Sequence, residues 1–239
     1  TGYRSPGRRR GGSRAGSRTE GRFSSYVYGW MAAGLGLSAL AVVTLGNNPA
    51  FLDWMFRSGG FKILSIGLLI YSLGLQMTMQ RLPVAVATAG YFGYAALMGT
   101  LLSPIVQIYT QSSLVMTFGV AAGTFGAMAV YGATTKRDLT SMGRVMAMAT
   151  FGLALAMLAN WWFKSSMMTM VTSGIGVVLF TGLAAFDAQR IRRIEASAVT
   201  GDTQVRLALL CAMHMYMNLV NLFLFLLRFM GDSRSSNRR

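Results

Sequence analysis

Acidic side chains are scarce in this chain: its 239 residues include seven Asp and Glu against 22 Lys and Arg, and only 12% are charged. A soluble domain draws about a quarter of its residues from the charged set, so an ordinary water-facing surface is excluded. Cysteine and histidine occur once each, as Cys211 and His214. One cysteine allows no intrachain disulfide and no multi-cysteine metal or redox motif. The redox state of the compartment is therefore unreadable. The lone His214 has no nucleophile and acid at recognisable spacing, and no HExxH pair is present, so the chain reads as a non-enzyme. A retinal photoreceptor is excluded too, because the last apolar run contains no lysine for a Schiff base.

What is abundant is hydrocarbon. Hydrophobic residues make up 53% of the chain and the mean hydropathy is +0.47. A bilayer core of ~30 Å needs about 20 apolar residues per helix. Runs of that length lie at 25–45, 62–80, 84–106, 112–134, 145–163, 167–188 and 207–229. The largest breaks, 46–61 and 189–206, are too short to fold alone. The fold class is thus an all-α integral membrane protein with seven transmembrane helices. Residues 1–24 form a basic flexible N-terminal tail, 25–230 the transmembrane domain, and 231–239 a short basic C-terminal tail.

The formal charge of +15 invites a nucleic-acid reading, but the bases sit in tails and loops around lipid-length spans. Placing the N-terminus on the cytoplasmic side gathers the N-terminal arginines with Arg81, Lys136, Arg137, Arg144, Arg190, Arg192, Arg193 and Arg206. The opposite loops hold only Arg57, Lys62 and Lys164. This is the positive-inside distribution, and no nucleic-acid partner is needed to explain it. The C-terminal Arg228, Arg234, Arg238 and Arg239 fall outside after seven crossings but inside after six, which keeps open a six-span alternative with a re-entrant last segment. The polar first half of that segment, "LALLCAMHMYMN", suits a helix surrounded by protein, so seven spans with the last one central are preferred.

The leading "TGYRSPGRRRGGSRAGSRTEGRF" lacks apolar periodicity and a signal-peptide core. It reads as a topology-setting tail that attracts anionic lipid. A trimmed organelle-targeting segment, or an arm ordered by a membrane-protein partner, is the alternative. Small residues at four-residue spacing, Ala32 to Gly36 and Gly119 to Gly123 with Gly126 nearby, predict close helix packing. The 18 methionines are spread over nearly all spans and read as gap fillers, not as metal ligands. No cofactor or metal is expected.

Asp187 is the only acid at the level of a span. A carboxyl at that depth faces the bundle interior and needs a partner. The plain alternative is an interfacial cap paired with Arg190 or Arg192. On the last helix Cys211, His214, Asn218 and Asn221 lie three or four apart and share a face that can meet Asp187. Taken alone, His214 and Asn221 read as interhelical packing glue. Arg81, closing the second span, either pairs with Asp187 across the bundle or snorkels to the interface.

These residues carry a resemblance. "VYGWMAAGLGLSAL", "YGATTKRDL", "AAFDAQRIRR" and "MYMNLVNLFLFLLRFMG", occurring in that order, resemble the bacterial branch of the Bax inhibitor (transmembrane Bax inhibitor motif) family. The resemblance implies six helices arranged around a central seventh, and a pH-sensitive calcium leak latched by two aspartates on the sixth and seventh helices. The first aspartate maps onto Asp187. At the second this sequence has Asn218, and the family's arginine at the end of the second helix corresponds to Arg81. Two close carboxyls can share a proton, whereas Asp and Asn cannot. The expectation is an ion leak of Bax-inhibitor type with an altered latch, its neighbours being His214 and Asn221, and with calcium or protons as permeants. A non-conducting scaffold or stress-protective regulator of other membrane proteins is the alternative. The resemblance points to a bacterial inner membrane, with a mitochondrial inner membrane as the alternative.

Overall fold

The computed structural model describes residues 22–231. The expected tails, apart from residues 22–24 and 231, lie outside the described residues. Among the described residues the helices are α1 (Arg22–Gly46), α2 (Pro49–Arg57), α3 (Gly60–Thr78), α4 (Val84–Leu102), α5 (Ile105–Ile108), α6 (Gln111–Thr134), α7 (Thr140–Phe163), α8 (Ser166–Ala196) and α9 (Gly201–Met230). Seven spans are long and apolar enough to cross a membrane: α1, α3, α4 continued by α5, α6, α7, α8 and α9. The chain is a multi-pass membrane protein. The re-entrant alternative is not realised, because α9 runs 30 residues without a break, which is roughly 45 Å of helix.

Local sequence sets the boundaries. Asn48 caps α2, its side chain accepting from the Phe51 amide, with Pro49 behind it at the first helical position. Thr110 and Ser165 cap α6 and α8 in the same way. Lys164, left-handed at φ 50°, ends α7 one residue earlier. The helix α2 occupies a break that hydropathy alone left blank. The sixth span, expected at 167–188, continues to Ala196, and the seventh, expected from 207, begins at Gly201. Both extensions are on the arginine-rich side, where polar turns stand clear of the hydrocarbon.

The core is built on α9. Leu209, Met213, Tyr216 and Leu222 are fully buried, and α9 packs along α8, α1, α6 and α4. By contrast α3 packs chiefly on α4, and α7 on α8. The arrangement of six helices around a seventh is therefore found only in part: four spans surround α9, and two stand outside them with apolar faces turned outward. Ile63, Ile70 and Met77 of α3 and Phe151, Leu158 and Trp162 of α7 are exposed, as lipid-facing side chains are.

The small-residue expectation is corrected. Gly36, Gly119, Gly123 and Gly126 have open space where a Cβ would project, so they do not mediate close packing. Spacing marks a stripe on a helix but not which stripe faces protein. The close approaches are at Gly132, where a Cβ would overlap the Ala185 backbone of α8, and at Gly99, where it would overlap the Ser38 backbone of α1. Ala121, Phe125 and Ala129 share the buried face with Gly132.

Candidate functional site

Asp187 sits three-quarters of the way along α8, on the face turned to α9, and is buried. The Asn218 amide of α9 donates to its carboxyl oxygen at 2.5 Å. No ion pair within 4.0 Å joins Asp187 to a base among the described residues. The interfacial-cap alternative is thereby set aside in its details: Arg192 donates to the Ala133 carbonyl at 2.7 Å, and Arg190 turns to His214. Arg190 nevertheless lines the same small gap as Asp187, with Ile191, Cys211 and His214, and that gap is too small for a water molecule.

His214 is one link of a second chain of contacts. Its Nδ1 lies 3.2 Å from the Arg190 guanidinium, and its Nε2 lies 2.9 Å from Gln76 Oε1 of α3. A guanidinium only donates, so Nδ1 accepts; the proton is on Nε2 and is donated to Gln76. Gln76 in turn donates through Nε2 to the Ser72 carbonyl at 3.1 Å, which leaves its oxygen facing the imidazole. A neutral His214 thus ties α3 and α8 to α9, one turn from the Asp187–Asn218 contact.

The remaining candidates fall elsewhere. Arg81 is exposed in the turn after α3, and no hydrogen bond or ion pair from its side chain reaches Asp187 among the described residues. Asn221 is half-buried, and its side chain makes no hydrogen bond among the described residues. Gln76 escaped the sequence reading; a lone amide within an apolar span was the signal available for it.

The arginines that follow Asp187 have distinct tasks. Gln189 Oε1 accepts from the Leu139 amide at 2.8 Å, while its Nε2 donates to the Arg137 carbonyl at 2.7 Å. Arg193 donates to Asp138, to Thr140 Oγ1 and to Gln189 Oε1. The loop after α6, "TTKRDL", is thereby strapped to the end of α8. Asp138 also accepts from the Thr140 hydroxyl and amide. Hydrogen bonds from Thr140 and Arg193 hold its carboxyl well below the usual carboxylate range. Two turns on from Asp187, Glu195 accepts from the Ser24 hydroxyl at 2.6 Å and the Ser24 amide at 3.3 Å. That places a carboxylate at the N-terminus of α1, where the helix dipole favours it.

With this geometry in view, the chain matches over residues 21–235 the family described as inhibitor of apoptosis-promoting Bax1. It is 39% identical over 227 residues to the inner membrane protein YbhL of Escherichia coli, covering 92% of this chain and 94% of that one. An uncharacterised protein of Borreliella burgdorferi is 38% identical over 218 residues, covering 90% and 93%. Protein RP147 of Rickettsia prowazekii is 37% identical over 213 residues, covering 89% and 90%.

Proposed function

The chain belongs to the Bax inhibitor family, and from that premise we propose that it is a gated ion leak of a bacterial inner membrane, with the Asp187–Asn218 contact as its latch. One observation carries the reading: Asp187, the only buried acid among the described residues, is held directly by Asn218 of α9 and stands beside a gap too small for a water molecule. A buried carboxyl between membrane helices is expensive and marks an ion or proton pathway by default. Calcium or protons are the permeants proposed, with pH modulation altered because one carboxyl here has an amide as its partner. Calcium favours six to eight oxygen ligands. A single carboxyl beside the Arg190 guanidinium supports calcium less well than a pair would.

That same feature favours the second reading, a non-conducting scaffold or stress-protective regulator. The deciding experiment is calcium and proton flux in liposomes between about pH 5 and 8, for the unaltered protein, Asp187→Asn and Asn218→Asp. The leak reading requires flux that Asp187→Asn changes, and a pH dependence in Asn218→Asp that differs from that of the unaltered protein. Silence of all three in folded, reconstituted form overturns it in favour of the scaffold.

A further inference from the structure

A cavity of about 540 Å³ opens on the side of the bundle away from the arginines. Its walls are α1, α5 and α6, and Val220 and Phe223 of α9 form its floor. Among the described residues no ionisable side chain lines it. Val43, Val115 and Phe118 line it and are also exposed on the outer face of the bundle, so the mouth is lateral, between α1 and α6. Its lining on α1 runs from Leu35 to Asn47, a rise of roughly 18 Å at 1.5 Å per residue. One leaflet of a ~30 Å hydrocarbon core is about 15 Å thick. The length of the cavity matches one leaflet.

The polar groups lie at its outer end. The Asn47 amide nitrogen donates to the Val43 carbonyl and the Gln107 amide nitrogen to the Gly46 carbonyl, each at 2.8 Å. Both amide oxygens remain as acceptors at the rim, and Gln111 stands beside them. Further in, the Ser38 hydroxyl is engaged by Tyr216 and by backbone carbonyls, so the inner end presents hydrocarbon.

We propose that this cavity is a binding site for one acyl chain of a phospholipid from the leaflet opposite the arginine-rich side, with the lipid headgroup at the Asn47–Gln107 rim. Water gains few partners on such walls, and an empty cavity forfeits the dispersion contacts of its lining. A lipid chain is already in hydrocarbon, so entry is driven by packing and not by the hydrophobic effect. The site therefore exchanges with the bilayer. Unclaimed amide oxygens favour a headgroup that donates hydrogen bonds, such as an ethanolamine ammonium, over a quaternary ammonium, which has no N–H. This site stands apart from the latch and does not depend on whether the protein conducts.

The test is photolabelling in vesicles with phosphatidylethanolamine carrying a diazirine in its acyl chain, with the labelled residues mapped by mass spectrometry. Lipid at the outer surface reaches the exposed Phe151 and Leu155 of α7, whereas only a chain inside the cavity reaches Val220 and Phe223, which are 6% and 8% exposed. The expected result is labelling at both places, with the α9 label competed by unlabelled phosphatidylethanolamine more effectively than by phosphatidylcholine. Ala39→Trp, which fills the cavity, and Val115→Trp, at its mouth, should each abolish the α9 label and leave the α7 label, which reports that the bundle is intact. Labelling of α7 alone in the unaltered protein overturns the site. So does an α9 label that both filling variants retain. An α9 label obtained with a diazirine fatty acid but not with the phospholipid overturns the phospholipid assignment.

Discussion

The two ends of this bundle are held together differently. At the arginine-rich end, side chains of α8 reach the loop after α6 through Gln189 and Arg193, the last turn of α6 through Arg192, and the start of α1 through Glu195. At the opposite end the helices α1, α5 and α6 stand around an apolar cavity, and few polar contacts cross between them. One end is strapped, the other is packed loosely enough to admit a guest. The difference teaches that the loops and helix ends of the arginine-rich side are tied by side-chain bridges, while within the spans polar contacts are few and local, as at Asp187–Asn218, His214–Gln76 and Ser38–Tyr216.

The contrast is sharpest at Gly132, where α6 and α8 approach closely below the strap. Gly132→Leu forces side chain against Ala185 backbone, and overpacking of that kind costs on the order of 3 kcal/mol. The expected outcome is a large fall in thermal stability in detergent and in the yield of folded protein, whereas Gly123→Leu, with open space at its Cβ, is tolerated.

Next in size is Gln189→Ala. It leaves the Leu139 amide and the Arg137 carbonyl without their partner, an expected loss of about 1 to 3 kcal/mol. Asn47→Ala at the exposed opposite rim is expected to stay within about 0.5 kcal/mol. Equal losses from the two variants, measured by thermal unfolding, would erase the difference between the ends.

The smallest effect concerns acid. The Asp138 carboxyl is held below its ordinary range by Thr140 and Arg193. A depressed folded-state value contributes stability above the unfolded value of about 3.9, and that contribution fades as pH falls further through the folded value. Asp138 is 71% exposed, so solvent screening keeps the effect slight. Unfolding of the unaltered protein and of Asp138→Asn should differ a little at pH 7 and converge as the solution is acidified below the ordinary carboxylate range. A difference that grows on acidification would contradict the strap.

Much of this was readable in the residues. Asp187 stood out as the one acid at span depth, and the three- and four-residue spacing of His214, Asn218 and Asn221 put a polar stripe on one face of α9; the structure joins Asn218 to Asp187 and leaves Asn221 aside. Arg81 illustrates the limit, because placement at the end of a span does not reveal which way a long side chain runs. The basic neighbour of Asp187 in the structure is Arg190, which reaches the gap from α8 itself. Gln76 was missed because its importance lies in meeting His214, which is 138 residues away in the chain.

By itself the sequence determined the number of spans, their apolar centres, the side on which the arginines gather and the one acid within those centres, because each follows from transfer free energy or charge counted along one dimension. The polar first half of the last span pointed to an interior helix, and the tertiary structure decided how far that holds: α9 is mostly buried, while α7 is mostly exposed and packs chiefly on α8. It also decided which glycines meet backbone, which nitrogen of His214 carries the proton, and where the cavity opens. Lipid and protein interior are equally apolar, so hydropathy cannot tell a helix facing one from a helix facing the other, and only shape complementarity between helices makes that choice.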